Sequence, residues 1–400
     1  MDSSLHPACT FSARAQQLTS SAIREILKVT ERPEIISFAG GLPAAAGFPV
    51  DTVRQAFDTV LRTRPDVALQ YGPTEGYGPL REWIAADLNR QGAQVTVDNV
   101  MIVSGSQQAL DLLGKVLIDE GSKVLVESPT YLGALQSFGL YGPRFADVPT
   151  DDDGLIPDAL TPERARGARF LYALPNFQNP TGRTLPVARR QALLERAVPL
   201  GLPVIEDDPY GELRYAGTPQ PSLLSLARST GAQVIRLGSF SKVLAPGLRL
   251  GYIAADASII AKLVQAKQAT DLHTATLTQM AVYDIVQSGF LSRHLPQVQA
   301  LYQRQCGYML DAMADAFPPQ AQWNRPEGGM FIWVTLPEHV DAAALLTRAI
   351  AEHVAFVPGA PFFAGTPRRN TLRLSFVTVP EDRIRVGIAI LGRLIREALS

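Results

Sequence analysis

Ser239-Phe240-Ser241-Lys242, followed by Gly247-Leu248-Arg249-Leu250-Gly251, sets an amine, two hydroxyls and a guanidinium just beyond the apolar run Val234-Ile235-Arg236-Leu237. A lysine that attacks a carbonyl needs a partly desolvated seat to lower its pKa, and a partner molecule held against it. Hydroxyls and an arginine close by are what a phosphate requires. Surface Ser-x-x-Lys runs are common, so this stretch gains its weight from three other motifs. Ser104-Gly105-Ser106-Gln107-Gln108 follows Val100–Val103 and opens a helix, where unpaired N–H groups and the helix dipole favour an anion. An ordinary serine N-cap accounts for the same residues equally well. Asn176-Phe177-Gln178-Asn179-Pro180-Thr181-Gly182 follows a run ending at Leu174. It reads as a plain loop on its turn formers, yet Asn179 could donate its amide to a phenolate oxygen. Glu206-Asp207-Asp208-Pro209-Tyr210 follows Val204-Ile205. Acids at a strand exit are often solvated caps, but Asp207 and Tyr210 could serve a protonated ring nitrogen and a ring oxygen.

These motifs need a scaffold that gathers them. Val100–Val103, Val124–Val126, Phe170–Leu174, Val204–Ile205 and Val234–Leu237 predict buried strands, and Gln107–Leu117 and Pro186–Ala197 predict helices between them, the second with its proline in the first turn. Alternation of this kind predicts a mainly parallel sheet with helices on both faces. Ligands gather outside the carboxyl ends of such strands, which is where each motif falls. The tail is ordered differently: a long amphipathic helix over His294–Ala314, a strand within Gly328–Val334, a helix near Ala342–Glu352, a strand at Thr371–Val377 and a closing helix over Asp382–Ala398. That order predicts a smaller α+β domain of about 110 residues. The start of the chain reads as a helix over Ser20–Thr30, then an extended Ile35-Ile36-Ser37-Phe38. The expected division is an N-terminal arm and helix packing with the small domain (1–48), a large domain (49–290) and a small domain (291–400).

Composition removes several function classes. The 400 residues carry 37 Lys and Arg against 38 Asp and Glu, which gives no electrostatic case for nucleic acid or an anionic membrane. Five histidines lie scattered, none at a ligand spacing, which argues against a metal site. Cys9 and Cys306 read as free thiols of a reducing cytosol. Met1-Asp2-Ser3-Ser4 shows no basic region leading into an apolar run, and no stretch reaches membrane-spanning length. The expectation is a cytoplasmic protein.

An anion-seating helix start, an asparagine, an aspartate, a tyrosine, and a lysine with an arginine behind it, in this order, are what pyridoxal 5′-phosphate asks of a protein. The chain resembles the fold-type-I, class I/II aminotransferases that use this cofactor, and within them the α-aminoadipate and multi-substrate, kynurenine-type branch. Ser21-Ala22-Ile23-Arg24-Glu25, Phe38-Ala39-Gly40-Gly41-Leu42-Pro43, Tyr71-Gly72-Pro73-Thr74-Glu75-Gly76-Tyr77 and Asn370-Thr371-Leu372-Arg373-Leu374-Ser375-Phe376 carry the likeness across nearly the whole length. The resemblance implies a seven-stranded-type, aspartate-aminotransferase-like large domain. It also implies a ping-pong transfer of an amino group between an L-amino acid and a 2-oxo acid. Lys242 would bind the cofactor aldehyde and shuttle the proton. Asp207 would pair with the ring nitrogen, and Tyr210 and Asn179 with the ring oxygen. Ser106, Gln107, Ser239 and Arg249, with Ser241 at the margin, would hold the phosphate. Tyr131 would stack on the ring, against the alternative of a core tyrosine. Tyr71 would reach the phosphate of a neighbouring subunit, so a homodimer is implied. Arg373 would fork the substrate α-carboxylate, against the alternative of a structural ion pair. Gly40 and Gly41 would allow close approach of the substrate. Ser21 and Arg24 share a helix face and would meet the substrate side chain, Arg24 pairing a distal carboxylate; a solvated arginine is the alternative.

Two further readings share the same residues. A β-eliminating lyase uses the same cofactor machinery. A cofactor-sensing regulatory domain would sit behind a winged helix, but about 40 residues precede the domain here, too few for a folded module, and there is no basic patch.

Overall fold

The computed structural model describes residues 10–16, 26 and 32–399. In chain order its strands are β1 (Ile36–Ser37), β2 (Val100–Val103), β3 (Lys123–Ser128), β4 (Arg144–Asp151), β5 (Gly154–Leu155), β6 (Ala168–Ala173), β7 (Val204–Asp207), β8 (Val234–Ser239), β9 (Gly251–Ala254), β10 (Gln322–Trp323), β11 (Phe331–Thr335), β12 (Val354–Ala355), β13 (Val357–Pro358) and β14 (Thr371–Ser375). The five predicted strands of the large sheet are all present, within two residues at each end. The helix expected over Pro186–Ala197 runs Val187–Ala197, with Pro186 outside it as the N-cap rather than in its first turn. The helix expected over Ser20–Thr30 lies outside the described residues, apart from Ile26.

The large sheet has the order β2-β9-β8-β7-β6-β3-β4-β5. Neighbours from β8 to β4 pair in parallel, while β9 runs against both β2 and β8, and the two-residue β5 folds back on β4. The expected seven strands are therefore extended by one short hairpin. Alternate side chains face opposite sides of a strand, and here both sides are apolar. Met101, Val103, Val126, Phe170, Ile205 and Leu237 meet the helices Ser106–Leu117, Leu132–Gly139 and Ala257–Thr270 on one face. Val100, Ile102, Leu125, Leu171 and Val204 meet Gly78–Arg90, Val187–Ala197 and Thr276–Gln287 on the other. Burial on both faces is why these strands read as unbroken apolar runs rather than as alternating ones.

A second sheet, β10-β11-β14-β13, is antiparallel throughout, and β1 pairs in parallel with β12. The helices Phe290–Ala316, Ala342–Ala351 and Glu381–Leu399 close its core. The long helix serves two cores: Phe290, Leu291 and Leu295 pack with the large sheet, and Val298, Tyr302 and Met309 with the small one. Pro296 lies at the changeover.

Candidate active site

The loops leaving β2, β3, β6, β7 and β8 emerge at one edge of the large sheet. The antiparallel β9 begins at that same edge, because Gly251 pairs with both Val103 and Ser239. Arg249, two residues before β9, is thereby returned beside the end of β2. It adopts a left-handed conformation, φ 48°, and its Nη2 lies 3.4 Å from Ser104 O. Gly105, at φ 84°, is the N-cap of the helix Ser106–Leu117 and offers no side-chain cap. A Cβ there would stand 2.7 Å from Arg249 Nη2, so only glycine leaves the guanidinium its seat. The serine N-cap account does not hold: Ser104 Oγ lies 3.3 Å from Asp271 Oδ2 and 3.2 Å from Thr274 Oγ1, which leaves the first N–H groups of this helix uncapped. Ser239 Oγ accepts from Ser241 N at 3.2 Å, and Gln107 Nε2 lies 3.3 Å from Gly133 O.

Lys242 follows β8 in a tight turn and donates from Nζ to Gly41 O at 2.8 Å. Desolvation first, then the positive charges of Arg373 and Arg249, lower its amine to about 8. Asp207 ends β7 and is buried. Its Oδ2 accepts from Tyr172 Oη at 2.6 Å, while Oδ1 is buried with no partner. Burial pushes its carboxyl up to about 7, against the opposing Tyr172 bond. Tyr210 is buried edge-on to Phe331 at 5.9 Å. Desolvation holds its phenol above the ordinary value, opposed by a hydrogen bond from Asn179, so the hydroxyl stays protonated at neutral pH.

Arg373, on β14, is buried and donates to Asn179 Oδ1 and to Ala39 O, each at 2.7 Å. Its guanidinium lies 4.2 Å from the Phe331 ring centroid and 5.3 Å from that of Phe362. No carboxylate pairs with it among the described residues, so the structural ion pair is not found, and its Nε has no partner. Burial lowers it to about 10, still a cation at neutral pH. Tyr131 is half-buried as N-cap of Leu132–Gly139, and its phenol is raised by desolvation and then by Asp207. At both Gly40 and Gly41 an added Cβ would make only ordinary contacts within the chain, 3.8 Å from Leu42 at Gly40 and 3.4 Å from the Phe331 ring at Gly41. Tyr71 is exposed, 79 %, with its ring edge-on to His273, and contacts none of these residues among those described. Ser21 and Arg24 lie outside the described residues.

Three supporting groups escape a reading of the sequence. Tyr172 sits in an apolar run and looks like core; the signal was its hydroxyl, since a buried tyrosine needs a partner for it. The fully buried Lys267 pairs with Asp271 at 2.8 Å, and Gln108 joins both to the Ser104 backbone. Their i,i+4 spacing was visible. Removing Asp271 would leave the buried ammonium without its counter-charge, at a cost of about 3–5 kcal/mol; Asp271 itself is partly exposed and keeps its bonds from Gln108 and Ser104. Arg190, fully buried, ties Pro175 and Asn176 to Pro221, and Asn176 passes the link to Asp208.

The family model of the aminotransferases of class I and II matches residues 33–391. This chain belongs to that family. It is 47% identical over 392 residues to a 2-aminoadipate transaminase of Thermus thermophilus, covering 98% of this chain and 97% of that protein. Among solved structures, α-aminoadipate aminotransferase of Thermus thermophilus, complexed with N-(5′-phosphopyridoxyl)-L-leucine, superposes with a TM-score of 0.90 at 46% identity, covering 97% and 98% of the two chains. Kynurenine aminotransferase of Pyrococcus horikoshii, in complex with its pyridoxamine cofactor, superposes with a TM-score of 0.93 at 43% identity, covering 98% of both. The protein is a transaminase of fold type I, dependent on pyridoxal phosphate and acting on amino acids and 2-oxo acids. Its residues fit that cofactor. The unpaired Asp207 Oδ1 answers a ring N–H, and the uncapped helix start with Arg249 across Gly105 makes an anion cradle that a Cβ would fill.

Proposed function

We propose that this aminotransferase takes the amino group of a 2-aminoadipate, glutamate, aromatic or branched aliphatic L-amino acid and passes it to a 2-oxo acid, with 2-oxoglutarate as the acceptor. The observation that carries the reading is Lys242: a desolvated amine lowered to about 8, tethered to Gly41 O. Near neutral pH such an amine can both give and take a proton.

Bound here, pyridoxal phosphate supplies an aldehyde for amines to condense with and a protonated ring that draws electrons from the substrate α-carbon. Lys242 Nζ removes the α-proton and returns one to the cofactor side. Asp207 holds the ring nitrogen protonated, and the hydroxyl of Tyr210 and the amide of Asn179 donate to the ring oxygen. Ser106, Gln107, Ser239 and Arg249 hold the phosphate, with Ser241 fixing Ser239 through its N–H. Tyr131 covers the ring face. Arg373 binds the α-carboxylate as a two-pronged donor, beside Gly40 and Gly41. Ser21 and Arg24 are assigned to the substrate side chain on sequence likeness. Likeness also supports a homodimer, in which Tyr71 of the partner subunit completes the phosphate site, and the division into 1–48, 49–290 and 291–400. Sparse cysteines support a cytoplasmic location; among the described residues, no helix is long and apolar enough to cross a membrane.

The test is a screen of amino acids against 2-oxoglutarate, with the cofactor spectrum followed on adding the donor alone. Conversion to the pyridoxamine absorbance with acidic and aromatic donors is expected. Release of pyruvate and ammonia from a cysteine-type substrate, with no such conversion, would overturn the reading.

A further inference from the structure

We propose that Tyr172 is a positioning residue for the reaction: its phenol ties down Asp207 Oδ2, leaves Oδ1 as the one oxygen free to accept from the cofactor ring nitrogen, and keeps the shared proton on that nitrogen. The proposal rests on the role given to Asp207 above.

The geometry follows from strand pairing. Tyr172 of β6 stands opposite Ile205 of β7, and paired residues point to the same face. Asp207 lies two residues beyond Ile205 and shares that face. The phenol spans the strand spacing to reach Oδ2 at 2.6 Å. Its ring is clamped by Phe138, edge-on at 5.7 Å, which is itself packed on Phe170 at 5.3 Å. The donor has no room to swing away. Burial and the nearby Asp207 charge hold the Tyr172 phenol well above its ordinary value, so it remains a donor at any working pH.

A buried carboxylate beside a ring nitrogen can share one proton in two ways, as an ion pair or as a neutral acid beside a neutral ring. Desolvation and the neighbouring Asp208 favour the neutral acid, while Arg236 and the Tyr172 bond favour the carboxylate. Arg236 is already engaged with Glu206 and Asp208 at 3.0 and 2.9 Å. Tyr131 and Tyr210 face Asp207 as neutral phenols held above their ordinary values. Of these groups, only Tyr172 donates directly to Asp207. Losing one hydrogen bond to a buried charge shifts such a balance by about ten- to a hundredfold.

The test compares holoenzymes loaded with cofactor labelled at the ring with 15N, as wild type, Tyr172→Phe and Asp207→Asn, by NMR at neutral pH. Phenylalanine keeps the ring packed on Phe138. The wild-type resonance should lie at the protonated position, and Tyr172→Phe should move it toward the unprotonated one. The proton-abstraction rate should fall about ten- to a hundredfold with KM little changed. A more acidic phenol, 3,5-difluorotyrosine at position 172, should at neutral pH keep the resonance at the protonated position, as in wild type and unlike Tyr172→Phe. If Asp207→Asn moves the resonance while Tyr172→Phe leaves it at the wild-type position, Tyr172 has no such role. If Asp207→Asn leaves it unmoved, the reading of Asp207 fails, and this proposal with it.

Discussion

Arg373 Nη1 donates to Asn179 Oδ1 at 2.7 Å, joining β14 of the small sheet to the loop after β6 of the large one. The bond fixes which way the Asn179 amide points. With Oδ1 occupied by a guanidinium, the amide NH2 is the group left for the Tyr210 side, where its hydrogen bond lowers the phenol against the effect of burial. The arginine assigned to the substrate carboxylate therefore also orients a residue assigned to the cofactor.

Arg373→Ala should consequently do two things. It should cut kcat/KM for amino donors by about a hundredfold, as expected for a lost two-pronged charge contact. It should also alter the absorbance of the resting holoenzyme before any substrate is added. Steady-state kinetics and a spectrum of the free enzyme check both; KM within twofold of wild type would refute the assignment.

Lys242→Ala leaves no other amine in that seat, since Arg373 and Arg249 are the cations that depress it. Transamination should fall by about a thousandfold or more, in line with the loss of a positioned acid-base group. In the wild-type apoenzyme the amine should titrate near 8, more reactive toward aldehydes above that pH than below it. Labelling rate against pH is the measurement.

Asp207 makes apoenzyme stability depend on pH in a particular direction. Its folded value, about 7, lies above the ordinary 3.8. The native state therefore binds the proton more tightly than the unfolded state does, and the stability this gives is lost as pH rises through 7. Asp207→Asn carries no such charge. Read from melting curves, the stability of the variant relative to wild type should rise as pH climbs from about 4 to about 7, by up to about 1.4 kcal/mol per pH unit between the unfolded and folded pKa values, and level off above 7. Glu127, also pushed to about 7 by burial, adds the same slope to both proteins and cancels. A flat difference would contradict the buried, uncompensated carboxylate.

Tyr71 predicts assembly. Its exposed ring, with Leu69 and Leu272 also exposed, suits an isologous homodimer. Light scattering and activity at one concentration decide this, and a fully active monomer would refute it.

Arg24→Ala should raise KM for 2-aminoadipate and glutamate far more than for leucine or an aromatic donor, because only the acidic substrates lose a charge-assisted contact. Equal losses across donors would put specificity elsewhere.

What could be read from the sequence follows from how local each feature is. Strands β2, β3, β6, β7 and β8 were visible because burial on both faces writes them as apolar runs. The strand β4, Arg144–Asp151, was not, because Val148 is its one buried residue and Arg144, Pro149 and Asp151 are exposed, which leaves no apolar run to read. Strand β9 was missed just behind the motif that contains Arg249, with which it shares only Gly251, since four residues are too few to show a period. Lys242 and Arg249 stood out because one short segment holds them both. Arg373, whose contacts lie 194 and 334 residues away in sequence, needed the family likeness to be noticed. Tyr172 finds its partner on another strand, and no spacing rule joins them.

Lys242 and Arg249 occupy a single hairpin loop, closed at its base by the Ser239–Gly251 pair and by Phe240 N donating to Leu250 O at 3.0 Å. That closure makes the loop a caliper, whose short chain limits the reach from amine to phosphate while Gly41 O and Ser104 O seat its two jaws. New chain ends introduced at Gly231, an exposed left-handed turn before β8, would leave both jaws joined, and a permuted enzyme should still take up its cofactor. Ends opened between Val243 and Leu248 would keep every side chain and both strands, yet the distance would no longer be held.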